Sequence, residues 1–195
     1  MAGIPAWEAA GGLRGRVTGR TAREEARGSV WRVTTAVDTN VLLDVLAGDE
    51  RASTAASQSL VEAGSIGPLV ICPVVYSELA AAFERRLDLE GFLGDVSVRV
   101  EPFSEGALWL SGSAWRTYTR RRGRGIRRPR CGNQFQPNCP ACGAVVSWRR
   151  HIISDFLIGG HALEQANVLL TRDRGYYRNY LPSLRLQIPE TTRLS

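Results

Sequence analysis

The chain has 195 residues, of which 44% are hydrophobic, and a formal net charge of +6. This length suits one domain with an insertion, and this composition can bury a core. No apolar run reaches the roughly 20 residues that cross a bilayer, and residues 1–32 lack the uninterrupted apolar stretch of a secretory signal. We therefore expect a cytoplasmic protein without a membrane partner. Residues 1–32 are rich in Gly, Ala and Arg and predict a poorly ordered extension, so the folded domain should span residues 33–189 and leave a tail at 190–195.

Short runs of β-branched residues alternate with amphipathic segments after residue 33. This alternation predicts an α/β fold of three layers, α/β/α, around a central and mostly parallel sheet. The predicted strands cover residues 33–37, 68–72, 96–103, 167–171 and 184–188. The predicted helices cover residues 40–47, 51–63, 73–87, 104–122, 155–166 and 173–180, with a very short helix at 92–93.

Four acidic residues stand at the ends of separate apolar runs. In parallel α/β sheets, ligands bind beyond the carboxyl ends of the strands, so acids placed there can converge on one crevice. Carboxylates that share a crevice repel each other unless a cation joins them, and oxygen ligands favour Mg²⁺ or Mn²⁺. Each acid alone is explained equally well as a helix cap or a solvated surface residue, but the set favours a site. The four are Asp38, Glu78, Asp155 and Asp173.

A strongly basic block lies between Glu105 and Asp155, where the chain has ten arginines and no acid. The remaining 15 arginines face 19 acids, a net charge of −4, so the positive charge is concentrated in this block. Such blocks commonly bind polyanions, and arginine binds phosphate through two parallel hydrogen bonds. Interleaved aromatic residues, among them Trp115 and Tyr118, could stack on bases, or these two could form the buried face of a helix. We predict nucleic-acid contacts for Arg120, Arg121, Arg122, Arg124, Arg127, Arg128, Arg130, Arg149 and Arg150.

Three of the four cysteines lie inside this block, within a stretch of twelve residues. Cys139 and Cys142 form a C-x-x-C pair, which a turn can fold around one ion, and structural zinc needs four such ligands. Cys131 supplies a third thiolate and His151 is the candidate for the fourth ligand. The alternatives are incidental reduced thiols or a redox pair. Bound zinc would order a zinc-ribbon-like insertion at residues 123–151 that has little apolar surface to bury.

The segments VDTNVLLD, SELA, DFLIGGHAL and TRDRGYYR, in this order, resemble the PIN-domain family of metal-dependent ribonucleases. Within that family they are most similar to VapC-type toxins, and the zinc-binding insertion resembles a branch of PIN proteins that carries a zinc ribbon. The resemblance implies RNA as the substrate, an antitoxin protein as a partner and a homodimer. It also implies that one or two Mg²⁺ or Mn²⁺ ions bind the four acids, with Asn40 and Thr171 in support.

We therefore expect an endoribonuclease that hydrolyses RNA, acting as the toxin of a type II toxin–antitoxin pair. Asp38 and Asp155 are the first-choice metal ligands, Asp173 completes the cluster, and Glu78 ligates the ion or serves as general base. One alternative is an RNA-processing PIN nuclease without a toxin role, and another is a non-catalytic, zinc-containing nucleic-acid-binding protein. A phosphatase of haloacid-dehalogenase type would need a lysine, and the chain has none. We expect His161 to be a packed core histidine and Asp44 a surface or salt-bridging acid.

Overall fold

A computed structural model describes most of the chain. The extension at residues 1–32, much of the insertion at 123–151 and residues 191–195 of the tail lie outside the described residues, so the domain boundaries stay predictions. The described residues are 33–47, 49–121, 126–127, 134–135, 138–143, 153–173 and 175–190.

Strands and helices alternate along these residues. The strands are β1 (Thr35–Val37), β2 (Leu69–Ile71), β3 (Val98–Val100), β4 (Ile126–Arg127), β5 (Gln134–Phe135), β6 (Val168–Leu170) and β7 (Leu186–Gln187). The helices are α1 (Thr39–Leu46), α2 (Glu50–Ile66), α3 (Pro73–Ala80), α4 (Arg86–Asp95), α5 (Glu105–Arg121), α6 (Ile153–Gln165) and α7 (Tyr176–Tyr180).

The main sheet has five parallel strands in the order β3-β2-β1-β6-β7. The predicted α/β fold with a parallel central sheet is confirmed. Helix α1 packs against α2 and α3, while α5 packs against α6 and α7. The chain moves outward from β1 to β3 and then returns to β6 on the opposite side of β1. The strand order therefore reverses between β1 and β6, which is where open α/β sheets build their ligand sites. Strands β4 and β5, within the insertion, pair antiparallel in a separate sheet.

Two helix starts have a clear local cause. Pro73 occupies the first turn of α3, where its missing N–H costs nothing. The Ser104 hydroxyl accepts a hydrogen bond from the Ala107 N–H at 3.1 Å and so caps α5. The predicted stop of α2 at Gly64 is wrong, because the helix continues to Ile66 and ends at Gly67. A side chain at Gly67 would overlap the backbone of Val33, so this close approach explains the glycine there.

The predicted long helix over residues 73–87 is wrong. The structure divides it into α3 and α4, and the predicted short helix at 92–93 is the middle of α4. The break between the two helices brings Phe83 against Phe92, with ring centroids 5.7 Å apart, so both rings reach the core. In one continuous helix, Phe83 and Phe92 would lie more than two turns apart along the axis, and their rings would not meet. The other differences are shorter strands and shifts of a few residues, such as α7, which begins at Tyr176 instead of Asp173.

Two consecutive glycines allow α6 to pack closely on both sides. A side chain at Gly160 would overlap the Ser111 hydroxyl of α5, and one at Gly159 would overlap Leu181. The next residue, His161, is 1% exposed and meets Phe103 edge-on, with ring centroids 5.9 Å apart. Its prediction as a core histidine is therefore confirmed. Among the described residues, the helices are too short or too polar to cross a bilayer.

Candidate active site

Asp38 stands at the point where the strand order reverses. It directly follows β1, and its backbone N–H still donates to the Leu170 carbonyl of β6 at 2.9 Å. Only 5% of the residue is exposed. Thr171 directly follows β6 and donates its hydroxyl hydrogen to Asp38 Oδ2 at 2.6 Å. Asn40, in the first turn of α1, donates to the same oxygen at 2.8 Å.

Asn40 and Thr171 also link the loop after β6 to the start of α1. The Asn40 side chain donates to Thr171 Oγ1 at 3.2 Å and accepts from the Arg172 N–H at 3.0 Å. Thr171 Oγ1 in turn accepts from the Asp173 N–H at 3.0 Å. The exposed Asp173 side chain accepts from the Gly175 N–H at 2.9 Å, which stabilises the turn into α7. The structure thus brings Asn40 and Thr171 to Asp38, while their part in catalysis stays a prediction.

Glu78 approaches the same place from α3. Its side chain is exposed, and one of its carboxylate oxygens accepts a hydrogen bond from the buried hydroxyl of Thr39. Burial raises the pKa of Asp38 above its ordinary value, while hydrogen bonds from Thr171, the Thr39 backbone and Tyr177 lower it. The charge of Glu78 raises the pKa of Asp38 further, so the two carboxylates interact.

Asp155 and Asp173 reach this region around the side chain of Tyr177. Asp155 is half-buried in the first turn of α6, and Tyr177 is 2% exposed in α7. The Tyr177 hydroxyl donates to Asp38 Oδ2 at 3.3 Å. Burial raises the pKa of Tyr177 far above its ordinary value, and the charges of Asp38, Asp155 and Asp173 each raise it further. The charges of three predicted acids therefore raise the pKa of one hydroxyl group, that of Tyr177. The charge of the fourth, Glu78, raises the pKa of Asp38.

The four acids do not form a compact cluster of ligands in the structure. Within the described ranges, no three His, Cys, Asp or Glu side chains stand close enough together to hold an ion unaided. Carboxylate, amide and hydroxyl oxygens are nevertheless the donors that Mg²⁺ and Mn²⁺ prefer. Mg²⁺ keeps several waters and is usually bound by one or two carboxylates. A buried carboxylate with a raised pKa beside further acids, as at Asp38, fits a site whose negative charge a cation would balance.

Sequence reasoning missed two polar residues of this site. Thr39 binds Glu78 and Tyr177 binds Asp38, although both lie inside motifs that the sequence had singled out. Their signal was weak, since a threonine at a helix start and one of two adjacent tyrosines have many ordinary roles. Asp44 was predicted to be a surface or salt-bridging acid, and the second alternative is confirmed: it is 6% exposed and forms an ion pair with Arg172 Nε at 2.9 Å. Burial raises the pKa of Asp44 and the Arg172 charge opposes that rise.

The predicted zinc ligands are only partly described. Cys139 and Cys142 form no disulfide, while Cys131 and His151 lie outside the described residues. The turn at Cys139 is closed by the Gly143 N–H, which donates to the Cys139 carbonyl at 2.8 Å. Backbone N–H groups of Ala141 and Cys142 lower the pKa of the Cys139 thiol, which favours the thiolate that a metal needs.

The predicted nucleic-acid contacts are likewise only partly described. Arg120 and Arg121 are exposed in the last turn of α5, and Arg127 lies in β4. The other predicted arginines fall outside the described residues. Trp115 and Tyr118 pack together with ring centroids 5.4 Å apart, and both also pack on Phe156. Of the two readings of these rings, the buried helix face is therefore the correct one. The arginines outside the described residues are Arg122, Arg124, Arg128, Arg130, Arg149 and Arg150.

Comparisons with known proteins bear on the fold. The PIN domain family model matches residues 35–128. The fold is similar to VapBC2 from Rickettsia felis, bound to a DNA fragment from their promoter, with a TM-score of 0.52, 15% identity and coverage of 80% of this chain and 99% of that chain. It is also similar to VapBC-1 from nontypeable Haemophilus influenzae, with a TM-score of 0.51, 17% identity and coverage of 80% and 97%. A toxin–antitoxin complex from Klebsiella pneumoniae gives a TM-score of 0.50, 15% identity and coverage of 81% and 99%. No curated protein matches the chain.

Proposed function

Because this chain has the fold of a PIN domain, we propose that it is a nuclease that hydrolyses phosphodiester bonds of RNA with Mg²⁺ or Mn²⁺. The observation that carries the proposal is the buried Asp38 at the point where the strand order reverses, with the charge of Glu78 acting on it and the charges of Asp155 and Asp173 acting on its partner Tyr177. Asp38 is fixed there by three side-chain donors, and the charges of Asp155 and Asp173 act on one of those donors. The charge of Glu78, in α3, raises the pKa of Asp38.

The proposed chemistry divides the work among these acids. A divalent ion in the site would lower the pKa of the attacking water and neutralise charge on the phosphate oxygens. Asp38 and Asp155 would hold the ion, and Asp173 would complete the group. Glu78 is exposed and hydrogen-bonded to Thr39, so it is placed to accept the proton of the attacking water as general base. Water would attack the phosphorus in place of the ribose 2′-hydroxyl, and the P–O3′ bond would break, so the products would carry 5′-phosphate and 3′-hydroxyl ends.

The biological role that we propose is that of the toxin in a type II toxin–antitoxin pair. It is supported by the fold likeness to proteins solved as VapBC and toxin–antitoxin complexes. The cognate partner would be an antitoxin protein, and the toxin itself would form a homodimer in the cytoplasm.

A second candidate role is RNA processing without toxicity, and the basic, cysteine-containing insertion favours it. In both roles we propose that Cys131, Cys139, Cys142 and His151 hold one structural zinc ion. The amides that face Cys139 support this part of the proposal, and a zinc content near one per chain in purified protein would test it. The insertion's arginines would position RNA through phosphate contacts.

Replacement of one acid tests the nuclease. Asp38→Asn keeps the size of the side chain but removes its charge, so cleavage of RNA in Mn²⁺ should fall by more than about 100-fold, beyond what loss of a supporting residue costs. Asp95→Asn is the matched control, since Asp95 is an exposed acid at the end of α4. Equal cleavage by wild type and Asp38→Asn would contradict the proposal. Growth arrest on expression of wild type but not Asp38→Asn would identify a toxin, and unimpaired growth would favour RNA processing.

A further inference from the structure

We propose that Tyr177 is a positioning residue of this site, whose hydroxyl orients the Asp38 carboxylate and thereby sets the affinity of the site for its divalent ion. This inference rests on the proposed function.

The side-chain hydrogen bonds to Asp38 are concentrated on one of its oxygens. Thr171, Asn40 and Tyr177 donate to Oδ2 at 2.6, 2.8 and 3.3 Å. Three donors from different directions restrict rotation of the carboxylate group. The carboxylate then presents its second oxygen, Oδ1, in one orientation, and this is the oxygen that we assign to the ion. Tyr177 makes the longest of the three bonds, and its donor is carried by a buried ring.

The ring of Tyr177 is held in place by α6. A side chain at Gly159 would lie 3.0 Å from Tyr177 Cδ1 and Cε1, so the glycine leaves the space that the ring occupies. Gly159 follows Asp155 by four residues, which places both on the same face of the helix. The same face of α6 therefore supplies an acid of the site and the notch for the tyrosine ring. The hydroxyl reaches Asp38 through this packing.

A purely structural role would not need the hydroxyl. A phenylalanine would fill the same notch, whereas a buried phenol needs a hydrogen-bond partner, and here that partner is Asp38. Residues that orient a metal-ligating side chain typically contribute roughly 10- to 100-fold to metal affinity. Loss of the Tyr177 hydroxyl should therefore weaken ion binding while the fold persists.

Titration of the full-length protein with Mn²⁺ alone, followed by electron paramagnetic resonance of the free ion, tests this inference. Tyr177→Phe should raise the dissociation constant of Mn²⁺ by roughly 10-fold or more. Tyr180→Phe is the matched control, because Tyr180 lies on the same helix and packs on Tyr118 and Phe156. The control should bind Mn²⁺ as the wild type does. In RNA cleavage, Tyr177→Phe should need more Mn²⁺ for half-maximal activity and approach the wild-type rate at saturation.

Gly159→Ala provides a second variant that leaves the hydroxyl in place. The added methyl group would overlap Leu181 and come within 3.0 Å of the Tyr177 ring, so it should displace both and weaken Mn²⁺ binding in the same direction. Unchanged Mn²⁺ binding by Tyr177→Phe, in a protein whose wild type binds Mn²⁺ and cleaves RNA, would overturn this inference alone. A wild type that neither binds Mn²⁺ nor cleaves RNA would overturn the proposed function and this inference together.

Discussion

One carboxylate oxygen of Asp38 accepts hydrogen bonds from side chains that lie far apart in the sequence. The donors belong to the start of α1, the end of β6 and α7. Burial disfavours the charged form of this acid, and the donors oppose that effect by stabilising the carboxylate. A buried acid in this environment is costly for folding, which is typical of residues placed for function.

Asp44 offers a test of how the loop after β6 is held. Its ion pair with Arg172 joins α1 to the residue next to Asp173. Arg172 is half-exposed, so the pair should contribute less than about 1 kcal/mol to the free energy of unfolding. Asp44→Asn should therefore change stability little but reduce RNA cleavage by roughly 10-fold, since the Asp173 loop loses an anchor.

The control for Asp44→Asn is Glu90→Gln. It removes the same charge from the exposed pair with Arg86, at 2.7 Å on α4. Both variants should be compared in urea unfolding and in RNA cleavage with Mn²⁺. Wild-type cleavage by Asp44→Asn would show that the ion pair does not hold the loop for catalysis.

At the scale of elements, the sequence predicted β1 and β6 well because each is a short apolar run that is followed by a polar residue. Asp38 and Thr171 were placed correctly at strand ends for this reason. The break between α3 and α4 could not be predicted, because it depends on the contact of Phe83 with Phe92 across the core. The role of Tyr177 could not be predicted from the sequence either. Tyr176 and Tyr177 are adjacent, and only the packing of Tyr177 against Gly159 distinguishes it.

Burial of His161 in α6 predicts a pH dependence of stability. Among the described residues its Nε2 has no hydrogen-bond partner, and burial lowers its pKa below the ordinary 6.5, against the opposing charge of Glu101. The unfolded chain therefore binds a proton more readily than the folded one. This residue should reduce stability as the pH falls below about 6.5 and have no pH-dependent effect above it.

Urea unfolding between pH 5 and pH 8 checks this expectation for wild type and His161→Leu. The difference in unfolding free energy between the two should change as the pH falls below about 6.5 and stay constant at higher pH. Asp38 and Asp44 have raised pKa values, so they make the folded protein more stable as the pH falls, opposite to His161. Both proteins contain these two acids, so the difference in unfolding free energy between them reports on His161. A pH-independent difference would mean that His161 titrates normally in the folded state.

At the scale of the whole molecule, charge is divided between two regions with opposite tasks. The chain carries +6 overall, yet its strand-end site is built from acids. A polyanion is repelled by such a site unless a cation is bound, while the arginines of the insertion attract it. The proposed nuclease therefore needs both charge regions, one to bind RNA and the other to bind the ion that acts on it.

The central claim is that the four acids share a divalent ion, and anomalous scattering from crystals grown with Mn²⁺ tests it most directly. We predict a manganese peak within bonding distance of Asp38 and Asp155, with Glu78 and Asp173 near enough to contact the ion or its waters. A folded protein whose manganese peaks all lie away from these acids would contradict the account.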